Sequence, residues 1–150
     1  MNDSKHIAVV GAGHAAGQLV ASLRMGGYKG EIDVFGDEPH RPYQRPPLSK
    51  AVLKGDLDPA RTLLKPDTWY AEQRINVHMQ TRVAAIRADD RTLKLENGST
   101  HRYDRLVLAT GARPIELPVD GADLDGVFLM RTLDHSMALK DAARSGARAV

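Results

Sequence analysis

Residues 6–17 read HIAVVGAGHAAG, an apolar run followed at once by three closely spaced glycines. The run over residues 6–10 predicts a buried parallel strand, and residues 15–25 carry Ala, Leu and Val at helical spacing. A second apolar run at residues 31–35 predicts the next strand. A strand, a helix and a strand within about 30 residues form one right-handed βαβ crossover with parallel strands. The sequence therefore predicts an α/β fold of the Rossmann type.

The turn between the first strand and the helix has the pattern Gly-x-Gly-x-x-Ala. Gly11 permits a tight turn, Gly13 lets the backbone approach a pyrophosphate, and Ala16 allows close packing of helix on strand. The helix N-terminus offers free N–H groups and a partial positive charge to the phosphates. We therefore predict a dinucleotide site, where His14 is a further candidate phosphate contact; an ordinary glycine turn and a solvent-facing histidine are the alternatives.

An acidic residue after the second strand is expected to bind ribose hydroxyls. Asp37 and Glu38 lie there, 24 and 25 residues after Gly13. Asp37 is preferred because it is nearer the end of the strand, and Glu38 is equally well explained as a solvated loop residue. An acid at this point favours an adenosine ribose and disfavours a 2′-phosphate, because like charges would meet.

The composition of the 150 residues is that of about one soluble globular domain, with a net charge of +2. The absence of cysteine excludes disulfide scaffolds, thiolate zinc sites and cysteine-ligated clusters within these residues, and we predict no metal site. It also fits a reducing compartment, so we expect a cytoplasmic location. No apolar run reaches membrane-spanning length, and we expect neither a membrane nor a nucleic-acid partner.

Further elements follow along the chain. Short helices are predicted at residues 48–53 and 66–73, and a longer one from an N-cap at Asp134 to residue 144. The Asn97-Gly98 dipeptide predicts a hairpin. Strands are predicted at residues 75–79, 82–87, 92–96, 101–103, 106–109, 127–131 and 148–150. The fold class is thus a parallel sheet with a crossover helix and a small antiparallel meander.

The segment 42–50 reads PYQRPPLSK and is stiffened by its three prolines. A rigid strip lowers the entropy cost of presenting Arg45 and Lys50 to a cofactor ring. Taken alone, it is as well explained as a structural connector.

Taken together, the motifs resemble those of the FAD-dependent ferredoxin reductases that serve bacterial oxygenases. This family includes the reductase components of aromatic-ring dioxygenases, which act in aromatic hydrocarbon catabolism, and the putidaredoxin reductase type. The resemblance is carried by segments 36–39 and 42–50, by YDRLVLATGARP at residues 103–114 and by LMRTL at residues 129–133. It extends over essentially the whole chain.

The resemblance implies a cofactor, FAD, and roles for individual residues. Gly11, Gly13 and Ala15 line the pyrophosphate, and Asp37 holds ribose. Lys50, the implied catalytic residue, lies near the flavin N5 and stabilises negative charge on the reduced ring. The remaining implied cofactor-binding residues are Arg45 beside the flavin, Val83 at the adenine end, Ala109, Thr110 and Gly111 in a second loop, and Arg131.

The resemblance also implies a division of the chain. Residues 1–115 correspond to the N-terminal segment of an FAD-binding domain, and residues 116–150 to a connection toward a largely absent NAD-binding domain. The parent enzyme passes electrons from NADH through FAD to an acidic [2Fe–2S] ferredoxin, whereas the 150 residues alone are expected to be inactive. Basic residues are candidates for the ferredoxin surface: Arg41, Arg45, Lys50, Lys54 and Arg61. The alternatives are a rubredoxin- or nitrite-reductase-type flavoprotein, an NAD-dependent dehydrogenase domain and a non-catalytic nucleotide-binding module.

Overall fold

The computed structural model describes residues 5–143 and residue 148. The described residues form two compact units, the first comprising residues 5–43 and 63–111 and the second residues 44–62, 112–143 and 148. Among them, no helix combines the length and the hydrophobicity that crossing a bilayer requires.

The first unit is built on a parallel sheet of four strands, which are β1 (Ile7–Val10), β2 (Ile32–Phe35), β3 (Ile75–His78) and β7 (Arg105–Leu108). Their order across the sheet is β3-β2-β1-β7. Helix α1 (His14–Met25) makes the crossover from β1 to β2, as the sequence predicts. Helix α3 (Asp67–Glu72) leads into β3.

The two faces of the parallel sheet are covered differently. One face carries an apolar core in which Val9, Val34 and Ile75 pack with Ala16 and Val20 of α1. The other face, with Ala8 and Phe35, packs against an antiparallel sheet of three strands. Those strands are β4 (Val83–Arg87), β5 (Thr92–Leu95) and β6 (Thr100–Arg102). The predicted fold class is confirmed.

The second unit is formed by short helices. A 3₁₀ turn at Pro46–Ser49 leads into α2 (Ala51–Lys54), and a second 3₁₀ turn spans Pro59–Thr62. Helix α4 (Leu133–Ala142) packs against the first turn, where the Ser136 hydroxyl donates to the Leu48 carbonyl at 2.6 Å. Both Ser136 and Leu48 are buried.

One predicted strand and one predicted N-cap are wrong. Residues 127–131 form no strand, because a strand needs a hydrogen-bonded neighbour and no residue in the described ranges pairs with them. The N-cap of α4 is Thr132 and not Asp134, since the Thr132 hydroxyl accepts from the His135 N–H at 3.2 Å. Asp134 lies in the first turn, where a carboxylate complements the helix dipole. The strand predicted at residues 148–150 falls almost wholly outside the described residues.

Tyr70 places a buried hydroxyl in the core of the first unit. Its ring is buried under the Arg41 guanidinium, 5.2 Å from the ring centroid, and its hydroxyl has no hydrogen-bond partner among residues 5–143. Burial raises the pKa of Tyr70 to about 12, with Arg41 opposing and Asp67 adding to the shift. The folded state therefore favours the neutral phenol.

We expect Tyr70→Phe to leave the free energy of unfolding at neutral pH unchanged or to raise it by up to about 1 kcal/mol, because an unpaired buried hydroxyl is removed. Since the pKa is raised on folding, the wild type loses stability as the pH rises above the unfolded value of about 10. Tyr70→Phe has no phenol to ionise, so this part of the stability loss at alkaline pH should be absent from the variant. Urea denaturation at neutral and alkaline pH measures both effects; a clear loss of stability at neutral pH would contradict an unpaired hydroxyl.

Candidate cofactor site

The carboxyl ends of β1 and β7 are joined where the glycine turn begins. The two strands are parallel neighbours, and the Ala109 N–H continues the pairing by donating to the Val10 carbonyl at 2.8 Å. Gly11 has φ of +104°, and a Cβ added to it would lie 2.2 Å from the Ala109 carbonyl oxygen. No side chain fits there, so the contact requires glycine. The first turn thus lies directly against the second one at 109–111.

Gly13 presents open space to a ligand. It is the N-cap residue of the 12-residue helix α1, has ordinary extended dihedral angles and receives no side-chain cap. A Cβ added at Gly13 would meet nothing within 4 Å among the described atoms. The first N–H groups of α1 therefore face an uncrowded region, which is the arrangement that a pyrophosphate uses. The first turn of α1 has no acidic residue that would repel a phosphate.

The residues next to Gly13 divide into buried and exposed positions. Ala16 is fully buried in the core between α1 and the sheet, where the predicted need for a small residue applies. His14 and Ala15 are exposed at the start of the helix. Both are accessible to a ligand bound at the turn.

The acidic pair lies beyond the carboxyl end of β2, at the same edge of the sheet. The Gly11 N–H donates to the Phe35 carbonyl at 2.8 Å, which ties the glycine turn to this strand end. Glu38 accepts a hydrogen bond from the Tyr43 hydroxyl at 2.5 Å. Asp37 is exposed and makes no ion pair with any described residue. Its carboxylate is thus accessible to a ribose hydroxyl, whereas that of Glu38 is engaged within the protein.

Val83 begins β4, at a register irregularity between Val83 and Ala85. It is half-buried and packs against the core that contains Phe35 and Leu93. Just before it, the Thr81 N–H donates to the Gly36 carbonyl at 2.7 Å. This bond holds the approach to β4 close to the chain that carries Asp37.

The predicted cationic residues belong to the second unit. Arg45 donates from Nη1 to the Arg131 carbonyl at 2.7 Å, which joins two predicted site residues 86 positions apart. The Arg131 Nε is buried and has no hydrogen-bond partner in the described part of the chain, so it can donate to a bound ligand. Lys50 is exposed at the junction of the 3₁₀ turn and α2, and its N–H donates to the Pro47 carbonyl at 3.0 Å.

The sequence points to these residues but not to two contacts among them, that of Gly11 with Ala109 and the bond from Arg45 to Arg131. A signal for the first was present, because both glycine turns follow apolar strands whose carboxyl ends meet at one edge of a parallel sheet. Nothing in the sequence indicates the second, since a backbone carbonyl accepts from any suitably placed arginine.

Comparison with known proteins identifies the family. A family model for pyridine nucleotide-disulphide oxidoreductases matches residues 5–150. The chain belongs to this family. Pyridine nucleotide-disulphide oxidoreductases and the reductase relatives of this chain use FAD with NADH, so the cofactor prediction is confirmed. Within the first unit, the open space above Gly13 and the accessible carboxylate of Asp37 fit such a cofactor.

Within this family, the chain is similar to ferredoxin reductases of oxygenase systems. The chain is 39% identical over 140 residues to the biphenyl dioxygenase system ferredoxin–NAD(+) reductase component of Paraburkholderia xenovorans (strain LB400), covering 93% of this chain and 34% of that protein. It is 42% identical to the ferredoxin reductase for the CYP199A2 system of Rhodopseudomonas palustris, with a TM-score of 0.87 over 92% of this chain and 34% of that one.

A covalent complex of putidaredoxin reductase with putidaredoxin gives 36% identity and a TM-score of 0.86, over 91% of this chain and 34% of that one. The predicted resemblance to ferredoxin reductases of oxygenase systems is confirmed. The chain spans about a third of the length of the relatives that it matches.

The two glycines of the turn separate folding from cofactor binding. We expect Gly11→Ala to lower the melting temperature of the apoprotein markedly, because its Cβ would overlap the Ala109 carbonyl. We expect Gly13→Ala to cost less than about 1 kcal/mol of folding free energy. Its Cβ would occupy the space above the turn, and FAD binding should weaken by at least about tenfold.

Thermal unfolding without cofactor and FAD titration followed by absorbance measure the two effects. Each variant is the control for the other. A Gly13→Ala protein that binds FAD as tightly as the wild type would contradict the pyrophosphate site.

Proposed function

We propose that this chain is the FAD-binding portion of an NADH-dependent flavoprotein reductase that passes electrons to a [2Fe–2S] ferredoxin of an oxygenase system. The observation that carries the proposal is the double turn, in which Gly11 abuts the Ala109 carbonyl and Gly13 faces open space. Relatives named as ferredoxin and putidaredoxin reductases support a ferredoxin as the electron acceptor. Because the chain spans about a third of those relatives, the activity of the whole protein is part of the proposal.

In the proposed site, residues of the first unit bind the nucleotide part of FAD. The N–H groups at the start of α1 donate to the pyrophosphate, with Ala15 and His14 beside it. Asp37 accepts hydrogen bonds from a ribose hydroxyl, and Glu38 braces Tyr43 in the same loop. The segment from Ala109 through Thr110 to Gly111 passes along the cofactor, and the backbone of Val83 meets the adenine.

Residues of the second unit provide positive charge and rigidity. Arg131 donates from its unpaired Nε to the cofactor, and Arg45 holds the Arg131 backbone. Lys50 stabilises negative charge on the flavin ring. When bound, FAD supplies hydride acceptance from NADH and the release of single electrons. We propose that residues 1–115 belong to the FAD-binding domain and that residues 116–150 lead toward an NAD-binding domain. We also propose that the chain alone is inactive and that the enzyme is cytoplasmic.

The proposed role of Lys50 predicts a kinetic defect without a binding defect. In the enzyme that contains this chain, Lys50→Met should slow flavin reduction by NADH by about tenfold or more, while FAD affinity changes little, because a charge is removed where it develops. Stopped-flow absorbance measures the rate of flavin reduction. Lys94→Met is the matched control, because Lys94 lies at an exposed position of β5. Equal reduction rates in the wild type and Lys50→Met would contradict the role.

The proposed acidic ferredoxin predicts salt-sensitive electron transfer. Lys54 and Arg61 are exposed and carry charge of the sign that attracts such a partner. We expect the Lys54→Glu, Arg61→Glu double variant to lower kcat/KM for ferredoxin by about tenfold at low salt and to flatten its salt dependence. Reduction of a small uncharged acceptor should not change.

The choice of acceptor tests the proposed function directly. NADH oxidation by the same enzyme is measured with a [2Fe–2S] ferredoxin and with a rubredoxin. A strong preference for ferredoxin supports the proposal. A preference for rubredoxin, or ferredoxin reduction that is indifferent to both salt and the double variant, would contradict the proposed partner.

A further inference from the structure

Three histidines surround one buried aspartate between the two sheets of the first unit. Asp33 lies on β2, on the face covered by the antiparallel sheet, and its side chain is 6% exposed. Its Oδ1 accepts from His78 Nε2 at 2.6 Å, and its Oδ2 is in hydrogen-bond contact with His6 Nε2. His101 of β6 brings its Nε2 to 3.4 Å from the same Oδ2.

The charge of Asp33 makes this cluster unusual. A buried carboxylate is costly unless it is paired, and the ion-pair partners of Asp33 among the described residues are three histidines, with no lysine or arginine. Burial acts to raise the pKa of Asp33, but hydrogen bonds from His78, His6 and Asn76 outweigh it and hold the pKa below its ordinary value. The site therefore contains a buried anion next to nitrogen donors.

Three of these groups converge as metal ligands do. His6 Nε2, Asp33 Oδ2 and His101 Nε2 all lie within 4.8 Å of one another. His101 Nε2 is 3.4 Å from His6 Nε2 and 3.4 Å from Asp33 Oδ2. Zinc–ligand bonds of about 2.0–2.1 Å in a tetrahedron place neighbouring ligand atoms about 3.3–3.4 Å apart. Two of the three separations thus already match the edges of a zinc tetrahedron.

We propose that His6, Asp33 and His101 bind a divalent transition-metal ion of the zinc type. The ion takes the place of the hydrogen bond between His6 Nε2 and Asp33 Oδ2 as these two side chains move apart, and a proton carried by His6 Nε2 passes to the other ring nitrogen or to solvent. Water occupies the fourth position. His78 holds Asp33 Oδ1 and orients the carboxylate, as outer hydrogen-bond partners of metal ligands do.

One of the three ligands lies at an open cavity. His6 lines this cavity of about 310 Å³, whose wall also includes two carboxylates, Asp90 and Asp104, and two guanidinium groups, Arg91 and Arg102. The ligands come from the residue just before β1, from β2 and from β6, so the ion would link the antiparallel sheet to the parallel sheet. From the sequence we predicted no metal site because it lacks cysteine, and His6, Asp33 and His101 lie far apart along the chain.

The test uses the untagged full chain, first treated with a chelator and then titrated with Zn²⁺ by calorimetry. We expect one ion per chain and a melting temperature that rises with Zn²⁺ concentration. His101→Gln should weaken binding by at least tenfold, and His78→Gln by about tenfold to a hundredfold, as for other outer partners. His40→Gln, a histidine outside the cluster, is the matched control and should bind as the wild type does.

A second measurement does not depend on how well the variants fold. Co²⁺ added to the wild type should give the intense visible absorption of a tetrahedral site, and Zn²⁺ should displace it. The absence of one-to-one binding in the wild type, or equal binding in His101→Gln and His40→Gln, would overturn the proposal and leave a closed hydrogen-bonded cluster. Because neither measurement involves FAD or NADH, failure here is distinct from failure of the proposed reductase function.

Discussion

The contact between Gly11 and the Ala109 carbonyl is the constraint on which the site depends. It places the first glycine turn against the second, and it tolerates no side chain. The contact exists because β1 and β7 are parallel neighbours whose carboxyl ends meet at one edge of the sheet. Gly13 is then left facing open space, and the free N–H groups of α1 point toward it.

The two faces of the parallel sheet serve different purposes. The face under α1 carries the apolar core, with Val9, Ile32 and Val34 fully buried, and it fixes the position of the helix. The opposite face admits Asp33 and the surrounding histidines beneath the antiparallel sheet. A buried polar cluster costs stability unless every member finds a partner. Its presence on one face alone keeps that cost away from the packing that supports the glycine turn.

The sequence predicts local structure in this chain better than it predicts pairing. The pattern of residues 6–17 is sufficient for β1, the turn and α1, because the period of the apolar residues and the glycines agree with one another. The segment at 75–79 is recognisably a strand, but its place beside β2 in the parallel sheet depends on distant residues.

In both units, some contacts cannot be predicted from residue composition. Residues 127–131 have the composition of a strand, yet composition does not supply a neighbour. The bond from Arg45 to the Arg131 carbonyl and the convergence of His6, His78 and His101 on Asp33 are likewise products of the tertiary fold. The residue types proposed for the cofactor site come from the sequence, whereas the contacts that these residues make come from the tertiary fold.

The position of β7 in the sheet affects the order in which the protein assembles. Ile7 pairs with Arg105, so one wall of the turn comes from the start of the chain and the other from much later in translation. Contacts of such long sequence separation are slow to form, since a large loop must close before they stabilise anything. FAD should therefore bind late in synthesis, and nascent chains that end before Thr110 should carry no flavin.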